Sequence, residues 1–505
     1  MKQNTSKPSK FPVFETIVFV SGCITMVVEL IASRVLAPYF GTSVVIWTSI
    51  IAVLLGALSI GYWLGGILSA KMKPTQLNLV VAGAFAVAGI TLVFTNTFRD
   101  AFLPILALAI PDISIGSIVA TTLLFIVPVL ALGMISPVCV SWGIFERTDK
   151  ESATFIGRMY AIGTIGSILG TFLGGYFLIS FMSTSTILYV CSILLLLMSL
   201  LVGGKSVLKN VGLLTLLGIF IVIVYPKQNG AIFDTDTQYG RVIVEERRLD
   251  GREVRIMRIN SEFSSAIPLS GSAAVFDYVR TVSLIPGLQP TAKRVLILGG
   301  GAYTMPEIIN NIGTYEAIDT VEIDPKLEEI AQKYFFFNKK SNMSVFPEDG
   351  RLFLKKAAKF ESKYDFVYVD VYKSLFTVPH HMVTKEMVAD LAQSTTDNGI
   401  AMVNIIASDT KIGQEYFGSI VKTYQTKFPY IRVVPLGQPG RTGNIVFIAA
   451  KQPIQLPKES LNPDMSFSLS KIQEFTVPSE SIVFTDEFVP VEKYAAALFA
   501  QQSGE

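Results

Sequence analysis

Three acids and a glycine run in the second half of the chain have the types and spacing of a nucleotide site. RVLILGGGAYTMPEIINNI reads as an apolar strand (294–298), a turn of Gly299, Gly300 and Gly301 leading into Ala302, and a helix start. Glycines there let the backbone approach a ligand closely, and a helix N-terminus favours negative or polar groups. TVEIDP (320–325) is a second strand ending in Glu322 and Asp324. An acid at the end of the second strand, roughly 20 residues past the glycines, is placed to take ribose hydroxyls. Asp349-Gly350 follow a third strand, and YDFVYVD (364–370) is a fourth that ends in Asp370. Any one acid alone reads equally as a helix cap or turn residue. Four such features at strand carboxyl ends point to one shared site.

The elements that must position these residues follow from periodicity. GIAMVNII (399–406) is a fifth strand, and a helix over 326–337 follows the second. Strands alternating with helices predict a doubly wound parallel sheet with its ligand at the carboxyl ends. Upstream, QYGRVIVEERR and EVRIMRIN alternate on either side of Leu249-Asp250-Gly251-Arg252, a hairpin signal within 232–260. Residues 272–285 are expected to be helical.

Composition sets the first half apart. Apolar residues make up 50% of the 505 residues and charged ones 16%, with a mean hydropathy of +0.50. That is too apolar for an ordinary soluble enzyme. The net charge of +2 implies no nucleic-acid surface. Cys23, Cys139 and Cys191 all lie in apolar segments, and the only histidines are His380 and His381. Neither a disulfide framework nor a metal centre is expected. The N-terminal apolar run is too long, and carries Glu29 and Arg34, for a signal peptide.

A bilayer span needs about 20 apolar residues. Seven segments qualify: 12–36, 45–70, 78–97, 113–142, 158–182, 184–202 and 207–226. The stretch 101–111 is too short to cross and reads as an interfacial or re-entrant piece. Lys2, Lys7, Lys10, Lys71, Lys73, Arg147, Lys150, Arg158, Lys205 and Lys209 fall on one side, and Arg34, Arg99 and Lys227 on the other. This bias puts the N-terminus in the cytoplasm of a multi-pass cell-membrane protein. Seven spans would then place the C-terminal domain outside. The glycine runs GALSIGYWLGG (56–66) and GTIGSILGTFLGG (163–175) predict close helix packing. The expected organisation is a tail (1–11), a transmembrane domain (12–226), a β-hairpin lead-in (227–290), a Rossmann-like domain (291–450) and a C-terminal extension (451–505).

The ordered set GGGAYTMPEII, VEIDPKLEEIAQKYF, EDGRLFL, KYDFVYVDVY and PHHMVTKEM resembles the spermidine synthase (polyamine aminopropyltransferase) family. ELIASRVLAPYFGTS (29–43) and GRMYAIGTIGSILGT (157–171) look like its membrane-fused branch. The resemblance implies a multi-pass helical membrane domain joined to an α/β Rossmann-like domain of the class I S-adenosylmethionine-dependent methyltransferase kind. It implies decarboxylated S-adenosylmethionine, or S-adenosylmethionine, as substrate, an amine acceptor such as putrescine, and no metal. Soluble relatives tend to be dimers or tetramers, which implies a homodimer. Carried over by motif, Gly299–Gly301 with Ala302 line the site. Glu322 takes the ribose hydroxyls with Asp324 beside it, and Asp349-Gly350 meet the adenine. Asp370 orients and helps deprotonate the amine, and Tyr278 helps close the site. Tyr239, Arg280, Tyr372 and His380 are the remaining substrate-binding candidates.

The chain departs from that family pattern in three places. Ala302 stands where the family carries an acid that holds the ligand's free amine. Arg280 reverses a charge, and Lys373 adds one after Asp370. Three functions therefore stay open. They are aminopropyl transfer, a methyltransferase or lyase acting on S-adenosylmethionine, and a transporter or sensor with a non-catalytic nucleoside-binding domain.

Overall fold

The computed structural model describes residues 13–503 apart from 111, 146, 225–229, 261, 271–273 and 374–376. For 13, 205–224 and 499–503 it gives the backbone alone. The chain divides into two compact units, Met1–Asn229 and Gly230–Glu505.

The first unit is helical: α1 (Val13–Phe40), α2 (Val44–Lys71), α3 (Pro74–Ala109), α4 (Ile113–Ile144), α5 (Asp149–Phe172, carried on by a π-helical stretch to Leu178) and α6 (Thr184–Val224). Among the described residues six helices are long and apolar enough to cross a membrane, the last over Thr184–Gly204. A non-helical backbone at Gly204 (φ 58°) breaks α6 there. The seventh expected span, 207–226, lies outside the residues described with side chains. The stretch read as an interfacial piece is corrected. Residues 101–109 are the last turns of α3, which is 36 residues long and runs through Pro104. Inside a bundle, neighbouring helices and local adjustments re-satisfy the backbone group that a proline frees.

The glycine runs are packing seams. A side chain at Gly166 or Gly170 would strike the carbonyl oxygens of Phe19 and Cys23 on α1, and one at Gly65 would lie 2.7 Å from Met134 O on α4. Glu29 and Arg34 sit half-buried on α1. Near the far end of α3, Arg99 is buried (4% exposed). It donates to Ser185 Oγ (2.9 Å) and pairs with Asp100 (3.5 Å), which accepts from Tyr39 Oη (3.1 Å).

The second unit starts with a four-stranded antiparallel sheet, β1 (Phe233–Asp236), β2 (Arg241–Leu249), β3 (Arg252–Ile259) and β4 (Glu262–Pro268). Asp250 and Gly251 both take positive φ (48° and 79°), the backbone that a two-residue hairpin turn needs. The helix expected over 272–285 is instead a string of short turns beginning with α7 (Asp277–Arg280). The central strands and helices are β5 (Arg294–Leu298), α8 (Thr304–Ile312), β6 (Ala317–Val321), α9 (Lys326–Tyr334), β7 (Met343–Phe346), α10 (Gly350–Ala357), β8 (Tyr364–Val369), α11 (Lys385–Ser394) and β9 (Thr395–Ala407). Then come α12 (Lys411–Gln425), β10 (Tyr430–Pro435), β11 (Gly443–Ala450), α13 (Pro463–Lys471) and α14 (Val491–Ser503).

These strands form one sheet in the order β10-β11-β9-β8-β5-β6-β7. Strands β5 to β9 are parallel; β11 joins their edge antiparallel to β9, and β10 pairs antiparallel with β11 and so runs in the common direction again. This is the Rossmann-like arrangement of class I methyltransferases, with its buried strands packed between helices on both faces. Strand order reverses between β5 and β8, and ligands bind in the crevice outside such a switch point.

Candidate active site

The switch point is built from two adjacent strand ends. Asp370 N–H donates to Leu298 O (2.8 Å), and Gly299 N–H donates to Val321 O (2.9 Å). Gly299 has φ 99°, and a Cβ there would strike the Asp370 carbonyl. Only glycine lets the two chain ends come this close. The carboxylate of Glu322 accepts from Gly300 N (2.8 Å), Gly301 N (3.2 Å) and Asp324 N (3.0 Å), so the acid holds the glycine turn from below. Burial still pushes its carboxyl above the usual range, against the lowering effect of those amides.

A cavity of about 620 Å³ opens above these strand ends. It is lined by Gly299, Gly300, Gly301, Glu322, Asp349, Gly350, Asp370, Tyr278 and Tyr372, all expected from the sequence. Asp370 accepts from Asn404 Nδ2 (2.9 Å), and Asn444 Nδ2 donates to Asn404 Oδ1 (3.0 Å). Burial raises the Asp370 carboxyl to about 6; the Asn404 bond lowers it and the Glu322 charge adds to the rise. Tyr278 Oη donates to Ser264 O (3.1 Å), and burial with the Asp370 charge keeps that phenol protonated. Tyr372 Oη donates to Asn404 O (3.1 Å) and accepts from Ile406 N (2.7 Å). Asp349 caps α10, accepting from Arg351 N (2.9 Å) and Leu352 N (3.0 Å), while its other oxygen meets His381 Nε2 (3.1 Å).

Five candidates do not line the cavity. Ala302 is buried, and its amide donates to Ser265 Oγ (3.0 Å). Asp324 caps the start of α9 through Lys326 N (3.1 Å). Tyr239 is partly exposed, and desolvation and then the charges of Asp324, Glu322 and Asp349 raise its phenol. Arg280 turns away from the cavity: it bonds Asp464 (2.8 Å) and Asp277 (3.2 Å) and lies over the Phe467 ring (3.6 Å). The charge reversal expected of it is therefore taken up by Asp464 and by Asp277, an acid of the cavity wall. The neighbouring His381, rather than His380, faces the cavity. Desolvation and then the nearby His381 and Lys373 lower the His380 imidazole below its usual range.

Sequence reasoning missed Glu262, Ser264 and Ser265 of β4 and the Asn404–Asn444 pair. The cavity carries seven carboxylates, those of Asp250, Glu262, Asp277, Glu322, Glu348, Asp349 and Asp370, against the single ammonium of Lys373. Such a cavity concentrates cations. Among the described residues no group of three or more His, Cys, Asp or Glu side chains is arranged to hold a metal ion.

Fold and site together define a Rossmann-like domain with a glycine turn, a buried acid beneath it and an anionic pocket at the strand ends. More narrowly, residues 275–456 match the spermine/spermidine synthase domain, and the C-terminal part of the chain carries that domain. The chain is 27% identical over 207 residues to the polyamine aminopropyltransferase of Vibrio vulnificus, which covers 41% of this chain and 66% of that protein. It is also 27% identical over 153 residues to the eEF1A lysine and N-terminal methyltransferase of Bos taurus, covering 29% of this chain and 21% of that protein. A probable spermidine synthase from Corynebacterium glutamicum superposes with a TM-score of 0.38 at 20% identity, covering 50% of this chain and 90% of that structure. The chain thus aligns with just under two thirds of the first relative and about a fifth of the second.

Proposed function

We propose that the protein is a membrane-bound aminopropyltransferase. It moves a propylamine group from decarboxylated S-adenosylmethionine to an amine such as putrescine. The observation that carries this reading is Asp370. Its carboxylate is buried at the switch point beside the glycine turn and is mostly ionised at neutral pH. A sulfonium is already a good leaving group, so catalysis consists mainly of holding an uncharged amine in line with the carbon under attack. Asp370 accepts the amine proton as the C–N bond forms and the C–S bond breaks, which releases methylthioadenosine. Asn404 fixes the carboxylate in one orientation. Glu322 and Asp349 hold the ribose and adenine ends, and Tyr278 closes the amine side.

Purified full-length protein incubated with decarboxylated S-adenosylmethionine and putrescine should produce methylthioadenosine. No product with any polyamine acceptor overturns the reading. A second reading, transfer from intact S-adenosylmethionine, is favoured by one observation. Where an acid would hold the free amine, the wall by Gly301 presents the Ser264 and Ser265 hydroxyls. Calorimetry with both nucleosides separates the two readings, because preference for the decarboxylated form rejects the second.

Sidedness follows from the span count. With the N-terminus cytoplasmic, six crossings return the catalytic domain to the cytoplasm, and a seventh after Gly204 carries it outside. A topology reporter fused at the C-terminus reads this directly.

A further inference from the structure

A second cavity, of about 430 Å³, lies within the helical unit, where α1 begins, α4 ends and α5 begins. Arg147, Lys150 and Arg158 line it, with Glu15 and Glu151. Both acids are already engaged. Glu15 pairs with Arg158 (3.2 Å). Glu151 accepts from the Thr148 amide (3.0 Å) and hydroxyl (2.7 Å), the capping box that starts α5. The other two cations have no such partner. The Arg147 guanidinium lies over the Phe155 ring (4.0 Å) and donates to Gly143 O, a neutral acceptor near the end of α4. Its remaining N–H donors are left for a ligand. Lys150 is exposed, and among the described residues its ammonium meets no carboxylate. Three cations against two acids leave the wall with one positive charge in excess. The level of the cavity follows from its aromatic neighbours. Trp142 packs edge to face on Phe14 (5.0 Å), which meets Phe155 in the same way (5.8 Å). A tryptophan at the end of a spanning helix marks the head-group level. This is also the end of the bundle that the Lys and Arg bias predicts to be cytoplasmic, the side on which anionic lipids gather.

We propose that this cavity is a binding site for the phosphate of an anionic phospholipid head group, with Arg147 and Lys150 as its contacts. Arg147 supplies a planar fork of donors held in place by the Phe155 ring, and Lys150 supplies a mobile point charge. One phosphodiester charge matches the one charge in excess. A zwitterionic head group brings its own ammonium to the same wall and forfeits that match. A free phosphate ion shares the chemistry but has no acyl chains to enter the apolar layer below the aromatic rings.

The test is native mass spectrometry of the full-length protein in detergent, with phosphatidylglycerol and phosphatidylcholine of matched acyl chains at equal concentration. Wild type should retain phosphatidylglycerol over phosphatidylcholine by about tenfold. The double variant Arg147→Gln/Lys150→Gln should bring that preference below about twofold. Lys71→Gln/Lys73→Gln removes two basic residues at the turn between α2 and α3, outside the cavity, and should leave the preference intact. Equal retention of the two lipids by wild type overturns the proposal. So does an equal fall in both double variants. Displacement of phosphatidylglycerol by the same concentration of inorganic phosphate overturns the lipid assignment in favour of a free anion. Should the Arg147 substitution prevent folding, Lys150→Gln alone decides, because that side chain is exposed and supports no contact of the fold. A partial loss of preference in it supports the site, and an unchanged preference overturns it.

Discussion

Asn404 donates its side-chain amide to Asp370 across 2.9 Å and is itself oriented by Asn444. The carboxylate that would take the amine proton is thereby held by a neutral donor, not a cation. Its acidity is set by burial against one hydrogen bond. Replacing it by Asp370→Asn keeps the shape and removes the base. Turnover should fall by about 10²–10⁴, with nucleoside affinity nearly unchanged; single-turnover kinetics and calorimetry check the two halves.

The pH dependence follows from the same group. With the Asp370 carboxyl at about 6, kcat/KM should be full above that pH and fall as pH drops through it, well above the usual carboxylate range. Because the Asn404 bond lowers that value, Asn404→Leu should move the acid limb to higher pH. The stability effect has the opposite sense. An acid whose folded-state value is raised favours the fold while protonated, and that contribution is lost as pH climbs from about 4 through 6. Asp370→Asn should therefore raise Tm relative to wild type at pH 8 and match it at pH 4. An acid limb near 4 counts against the assignment of Asp370.

Glu322 organises the glycine turn as well as lining the cavity. Glu322→Ala leaves the amides of Gly300, Gly301 and Asp324 without their acceptor. A loss of about 1–3 kcal/mol in urea unfolding is expected, together with a fall of tenfold or more in nucleoside affinity.

Arg280 faces α13, so its substitution should affect stability and leave chemistry alone. Arg280→Gln breaks two partly exposed ion pairs, with Asp464 and Asp277. About 1 kcal/mol of stability should go, and the KM for the amine should stay within twofold. A large change in KM would put the guanidinium back in the site.

Gly299→Ala sets a β-carbon at φ 99° against the Asp370 carbonyl. Backbone strain of about 2–3 kcal/mol is expected, with loss of nucleoside binding by calorimetry.

What the sequence showed was local. Asp250-Gly251 and the glycine triplet declare their turns because positive φ selects glycine and its few substitutes. Asp349 and Asp370 declare themselves by following apolar runs. Glu262 and Asn404 were invisible because β4 and β9 bring them to the cavity from distant points in the chain. Arg280 was misplaced by proximity to Tyr278. Two residues apart on a helical turn, their side chains diverge. His380 and His381 differ by a single step around a 3-10 turn (His380–Met382), which periodicity does not resolve. Strands β10 and β11 follow α12 without any marker of direction, so the reversed course of β11 could not be read from them.

The length of α3 acts as a ruler. At about 1.5 Å per residue its 36 residues span about 54 Å, against a hydrocarbon thickness of about 30 Å. Measured from Pro74, Arg99 and Asp100 stand roughly 38 Å along the axis. A helix entering the bilayer at its first residue would bring this charged pair to the level of the opposite head groups, with Arg99 itself held inside the bundle by Ser185 and Asp100. The turns beyond, with Ile105 and Leu108 exposed, would then rise past the hydrocarbon core as an apolar collar rather than a further crossing.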